Sequence, residues 1–156
     1  MRYHLSLNNH EILPEILLEK NVEFPRLDDK LDGKYYQYLY MTISEDSTNN
    51  FLKEKKTGLG KFDLVTKQLK TWFQNDCTAV EPIFISSPTS KDEDEGVILT
   101  VIYEEVNKRS YLLALDGQSF FEIARAELPW HIPGSFHGQY FYENVFYPLE
   151  LKKELL

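Results

Sequence analysis

A recurrence constrains this chain more than any single motif. Three times a short hairpin-like run is followed by a proline-marked segment. The runs are Tyr3-His4-Leu5-Ser6-Leu7, Phe62-Asp63-Leu64-Val65 and Tyr111-Leu112-Leu113-Ala114-Leu115. The segments are Glu23-Phe24-Pro25, Glu81-Pro82 and residues 129–133. Gly33, Gly96 and Gly138 each stand before a strand-like run, 63 residues apart for the first pair and 42 for the second. An irregular period of this size, with about four strands per unit, is how propeller blades look in sequence. A ring usually closes with roughly four to eight blades. Fewer than three units fit in this chain, so it cannot close a ring alone.

The composition agrees with sheet. Of 156 residues, 14% are aromatic, with ten Tyr and ten Phe, and aromatic side chains favour the pleated surface. The net charge of −8 opposes nucleic acid as a partner, since phosphate binding needs a basic face. The same charge gives no attraction to an anionic membrane. Cys77 is the only cysteine, so an internal disulfide is excluded, which suits a reducing compartment. The expected location is cytoplasmic, with membrane association left open for a full-length protein. The first residues lack the apolar run of a signal peptide, and no run reaches the ~18 apolar residues of a membrane span.

Read in order, residues 3–7 and 10–13 form a hairpin around Asn8-Asn9. Residues 15–20 have the propensity for a short helix, which Pro14 and the hairpin context oppose. Residues 23–26 break the strand pattern, and 27–33 form a polar loop. Residues 34–43 read as a long aromatic strand, and 44–58 as a loop. Residues 60–65 and 69–73 form a second hairpin, and 83–85 a short strand. Residues 96–103 are a strongly apolar strand, with 97–102 expected to be buried on both faces. Residues 109–115 and 120–126 make a further hairpin, and 139–146 a last strand.

Several local patterns invite chemistry and fail on spacing. Asp92-Glu93-Asp94-Glu95-Gly96 places its glycine too early for a calcium loop, so it reads as a solvated acidic loop. It would also guard the apolar strand after it against edge pairing. Gly58-Leu59-Gly60-Lys61 is too short for a phosphate loop. Cys77 has no basic neighbour in sequence to make it a nucleophile. His137, between Phe136 and Gly138 at the mouth of a strand-like run, is well placed to present an imidazole to a metal. A lone histidine is more often structural, and His131 is read that way, because Pro133 and Gly134 break its register with His137.

Three segments, in order, carry a resemblance. They are Val22-Glu23-Phe24-Pro25-Arg26; Glu81-Pro82-Ile83-Phe84-Ile85 with Asp92-Glu93-Asp94-Glu95-Gly96-Val97-Ile98-Leu99; and Ile132-Pro133-Gly134-Ser135-Phe136-His137-Gly138. Together they resemble the C-terminal third of the carotenoid oxygenase family, which includes carotenoid and apocarotenoid cleavage dioxygenases, lignostilbene dioxygenases and the retinoid isomerase of the eye.

The resemblance implies an all-β fold: the last two to three blades of a seven-bladed β-propeller, spanning residues 1–156 without a domain boundary. It implies one Fe(II) held by four histidines, with glutamates behind three of them. His137 matches the last iron ligand, and Glu23 and Glu81 match two of the supporting glutamates. The other three ligands have no counterpart here, since His4, His10 and His131 lie outside the matching motifs. No catalytic side chain is assigned. Both glutamates are expected to lack their histidines in this chain and to be solvated. Gly134-Ser135 departs from the aromatic that often stands there in the family, which loosens the wall of the site.

The implied reaction is oxidative cleavage of a carbon–carbon double bond by O₂ in a carotenoid, apocarotenoid or stilbene-like substrate, giving two carbonyl products. As a fragment with one of four ligands, the isolated chain is expected to be inactive and to hold no Fe(II) by itself. Two other readings stand beside this one: a β-rich module that complements a separately encoded N-terminal chain, and a decayed remnant without activity.

Overall fold

The computed structural model describes residues 1–44, 57–132 and 137–141. Eleven strands run through them: β1 (Arg2–Ser6), β2 (Glu11–Glu15), β3 (Val22–Arg26), β4 (Tyr38–Ser44), β5 (Thr57–Asp63), β6 (Leu69–Trp72), β7 (Cys77–Ala79), β8 (Ile83–Ser86), β9 (Gly96–Glu104), β10 (Arg109–Asp116) and β11 (Glu122–Glu127). The one helical element among these residues is a single 3-10 turn, Asp29–Leu31, capped by the Asp28 carboxylate.

The strands fall into two four-stranded antiparallel units. In the first, β3, β4, β5 and β6 pair in sequence order; in the second, β8, β9, β10 and β11 do. The short β7 joins them, pairing parallel with β5 at Thr57 and antiparallel with β9. The nine strands make one open sheet, and β1 and β2 form a separate antiparallel hairpin. The recurrence in the sequence is therefore real: β1–β2, β5–β6 and β10–β11 are the three hairpins, each followed by its proline-marked segment. The glycines are not equivalent. Gly33 sits at φ +71° in a loop, whereas Gly96 opens β9 pressed against the Ile85 carbonyl.

The main core lies between the two units. Tyr40 and Leu59 from the first meet Phe84, Ile98, Ile102, Leu113 and Leu115 from the second. Tyr40 and Phe84 stack with ring centroids 4.8 Å apart, within the range of favourable aromatic pairs. A second cluster, Met41, Phe62 and Leu64, is covered by Leu17, Leu18 and Val22.

Six expectations change. Residues 15–20 form no helix; Glu15 ends β2. Glu23-Phe24-Pro25-Arg26 is strand β3, tolerated because β3 is an edge strand and carries a bulge between Glu23 and Arg26. The aromatic strand starts at Tyr38, not at 34, because a Glu93 carboxylate takes the Gln37 and Tyr38 amides. Residues 97–102 are not buried on both faces: Ile98, Thr100 and Ile102 are, and Val97, Leu99 and Val101 are half-covered. Finally, the acidic loop does not guard an edge, since β9 is central, with β10 on one side and β7 and β8 on the other. Of the expected last strand, residues 139–141 are not in strand and the remainder lies outside the described residues, as do most of the loop at 44–58 and Gly134-Ser135.

Candidate functional site

The site is built where the chain enters each unit. Glu81 precedes β8 by two residues, next to fully buried Pro82, and its side chain is only 5% exposed. A buried carboxylate is costly unless it is hydrogen-bonded. The segment 137–141 supplies the partners. Glu81 Oε2 accepts the Gly138 N–H at 2.9 Å, and Oε1 lies 3.4 Å from His137 Nδ1. When Nδ1 carries the ring proton, it donates to that carboxylate, which leaves Nε2 as the acceptor end of the ring. The ring is 77% exposed, so Nε2 is open to a ligand.

The first unit closes on the same point from β3. The Phe24 ring meets the His137 ring edge-on, centroids 5.7 Å apart at 89°. Phe24 has a positive φ of 52°, a sparsely populated conformation for a bulky side chain, and it falls at the β3 bulge. Arg26 Nη1 lies 3.8 Å from Glu81 Oε1. His137, Gly138, Pro25, Arg26, Asp29 and Asp32 border an open cavity of about 660 Å³. A smaller, apolar cavity of about 210 Å³ lies beside Glu81 and His137, lined by Ile83, Leu99, Val101 and Leu112 among others.

Three site residues were named from sequence, and the structure brings two of them together. Glu81 is not solvated and not without a histidine: it is buried against His137 of the same chain, a correction that spacing alone could not give, because 55 residues separate them. Glu23 is exposed on β3, and its carboxylate has no hydrogen bond or ion pair among the described residues. Its backbone carbonyl accepts from Thr42 Oγ1. Sequence reasoning missed Arg26 and Phe24 as neighbours of the pair; the only signal was their place in the same motif as Glu23.

The other histidines lie elsewhere. His4 meets Glu15 at 3.0 Å on the exposed hairpin. His131 sits beside Ser110, with its ring edge-on to Tyr103, as a structural residue would. His10 is exposed at a turn, with φ 56°. Among the described residues, no cluster of three or more His, Cys, Asp or Glu is placed to hold a metal ion. At the Glu81 site the chain thus presents a single imidazole backed by a buried carboxylate, a fit for one corner of a metal's ligand set. Nor, among those residues, is any helix long and apolar enough to cross a membrane.

Two four-stranded antiparallel units joined side by side in one open sheet define an all-β chain of β-propeller type. The chain belongs to the carotenoid oxygenase family: the family model described as "Retinal pigment epithelial membrane protein" matches residues 1–142. Among curated relatives, it is similar to beta,beta-carotene 15,15'-dioxygenase of Gallus gallus, 37% identical over 84% of this chain and 24% of the relative. It is also similar to the mitochondrial carotenoid-cleaving dioxygenase of Homo sapiens, 35% identical over 85% of this chain and 22% of the relative. Among solved structures, cobalt-substituted Synechocystis apocarotenoid oxygenase superposes with a TM-score of 0.81 at 28% identity, covering 88% of this chain and 29% of that one. The chain therefore spans about a quarter of the length of the relatives it matches.

Proposed function

We propose that this chain is the C-terminal part of an Fe(II)-dependent oxygenase that cleaves a carbon–carbon double bond in a carotenoid or apocarotenoid. Its two four-stranded units act as the last blades of a seven-bladed propeller. The observation that supports this most directly is the buried Glu81 holding both His137 and the amide that follows it.

In this reading, His137 is the last iron ligand, bound through Nε2. When bound, the iron would supply the site for O₂ chemistry. Glu81 fixes the ring tautomer and aims the ring; by accepting the Gly138 N–H it also fixes the backbone from which the ring projects. Glu23, exposed and without a partner in its own chain among the described residues, is assigned to a histidine that this chain does not contain. Residues 25, 26, 29 and 32 would form part of the cavity wall around the metal.

The open sheet and the hairpin β1–β2, which exposes Tyr3, Leu5, Ile12 and Leu13, favour completion by further strands. A separate complementing chain and a longer polypeptide would serve equally. The test is to assemble the complete propeller, load it with iron, and compare His137→Ala and Glu81→Ala with the parent for iron content and for carbonyl products from an apocarotenoid. Loss of bound iron with His137→Ala is expected. Full iron and full turnover in that variant would remove His137 from the ligand set.

A further inference from the structure

Glu81 is shared between the two units, and the partner from the far side is Arg26. The carboxylate receives one full hydrogen bond, from Gly138, and one long contact, from His137. Two such contacts are a thin compensation for a charge that is 5% exposed. Arg26 Nη1 approaches the same oxygen as His137, Oε1, from β3 at 3.8 Å, and its side chain is 28% exposed, so the ion pair is partly shielded from water. The approach depends on the bulge between Glu23 and Arg26, which breaks the register of β3 against β4 and brings Arg26 opposite Tyr40.

We infer that Arg26 is a positioning residue for His137, acting through Glu81. The guanidinium supplies the compensating charge that keeps the carboxylate turned inward, towards the imidazole and the Gly138 amide. Without it, a buried carboxylate with two neutral donors gains by rotating towards the open cavity and water. His137 then loses the acceptor that selects its Nδ1–H tautomer, and the Gly138 amide loses its partner. Arginine suits the role because it stays charged at any working pH and can bridge from a neighbouring strand. This inference rests on the proposed role of His137, but its consequence is visible in the metal-free chain.

The experiment is NMR on the 156-residue chain labelled with ¹⁵N, at about pH 8, where an ordinary imidazole is neutral. It reads which His137 nitrogen carries the proton and how fast the Gly138 amide exchanges. The variants are Arg26→Met, Arg26→Lys and Glu81→Ala. The parent is expected to hold the proton on Nδ1 and to protect the amide. Arg26→Met should move His137 to the mixture seen in Glu81→Ala and speed Gly138 exchange by about tenfold, the scale of one such hydrogen bond. Arg26→Lys should restore most of both, while the Tyr40 and Phe84 ring signals stay unchanged in all three, which excludes general unfolding. If Arg26→Met keeps the parent tautomer and protection, the Arg26 inference is wrong and the Glu81–His137 pairing stands. If the parent itself carries the proton on Nε2, the pairing fails, and the inference falls with it.

Discussion

Lys61 Nζ, from the first four-stranded unit, lies 2.5 Å from Asp94 Oδ2, from the second, and both side chains are nearly buried. The same ammonium donates to the Gly117 carbonyl at 2.6 Å and lies 4.3 Å from the centre of the Tyr38 ring. Burial pushes the Lys61 amine below its ordinary range, with the Asp94 carboxylate opposing that shift. The two units are thus fastened by a charge pair inside their shared core.

Lys61→Met should therefore destabilise the chain by about 3–5 kcal/mol, because it leaves Asp94 buried without its cation. Adding Asp94→Leu should recover at least half of that loss. Chemical denaturation of the two variants measures both. A single variant within about 0.5 kcal/mol of the parent would show that Asp94 finds water instead.

The start of β9 tolerates only glycine. A Cβ at Gly96 would lie 2.3 Å from the Ile85 carbonyl oxygen and 2.9 Å from the Phe84 ring, so β8 and β9 would have to part. Gly96→Ala should cost about 1–3 kcal/mol and should speed hydrogen exchange of the β8 amides before those of β10. Exchange mass spectrometry distinguishes the two strands.

Asp116 closes the turn between β10 and β11. Its Oδ1 accepts from the Ser119 hydroxyl at 2.6 Å and from the Ser119 amide at 2.7 Å, and these bonds hold the carboxyl below its ordinary value of 3.8. A carboxyl depressed on folding adds stability above its unfolded value, and that stability is lost as pH falls through the folded value. Part of the chain's stability should therefore disappear below about pH 4. Asp116→Asn should lose about 1–2 kcal/mol at neutral pH and show a flatter acid limb. Thermal unfolding across pH 3–7 provides the comparison.

The isolated chain should not retain iron. One imidazole competes poorly with water, and no further ligand cluster stands near it among the described residues. After anaerobic loading and dialysis, the iron content should be well below one per chain. Stoichiometric iron would mean that this chain assembles a site of its own.

Much of the fold was legible in the sequence because hairpins are local. Alternation and turn residues marked β5–β6 and β10–β11, and proline marked the entry to each unit. What escaped was set by contacts distant along the chain. Cys77–Ala79 is too short to show a pattern, yet it joins two units. Residues 22–26 looked like a break, because a proline in a strand is acceptable only at an edge, and edge position is a tertiary fact. The acidic run read as solvated, but Glu93 caps the Gln37 and Tyr38 amides and Asp94 takes the Lys61 ammonium. At the site, the resemblance to the family pointed to His137 and Glu81, while the meeting of the two across 55 intervening residues depended on the fold.

The three residues of β7 carry a mechanical consequence. Thr78 is paired with Thr57 on one side and with Tyr103 on the other, so the two units share a strand and do not merely touch. A hinge between them would have to rupture main-chain bonds, and side chains sliding past one another would not suffice. Torque applied at β3 reaches β8 through the paired strands β4, β5, β7 and β9. The spacing between Arg26 and Glu81, on which the aim of the His137 ring depends, is therefore tied to a main-chain joint that ends two residues before Glu81.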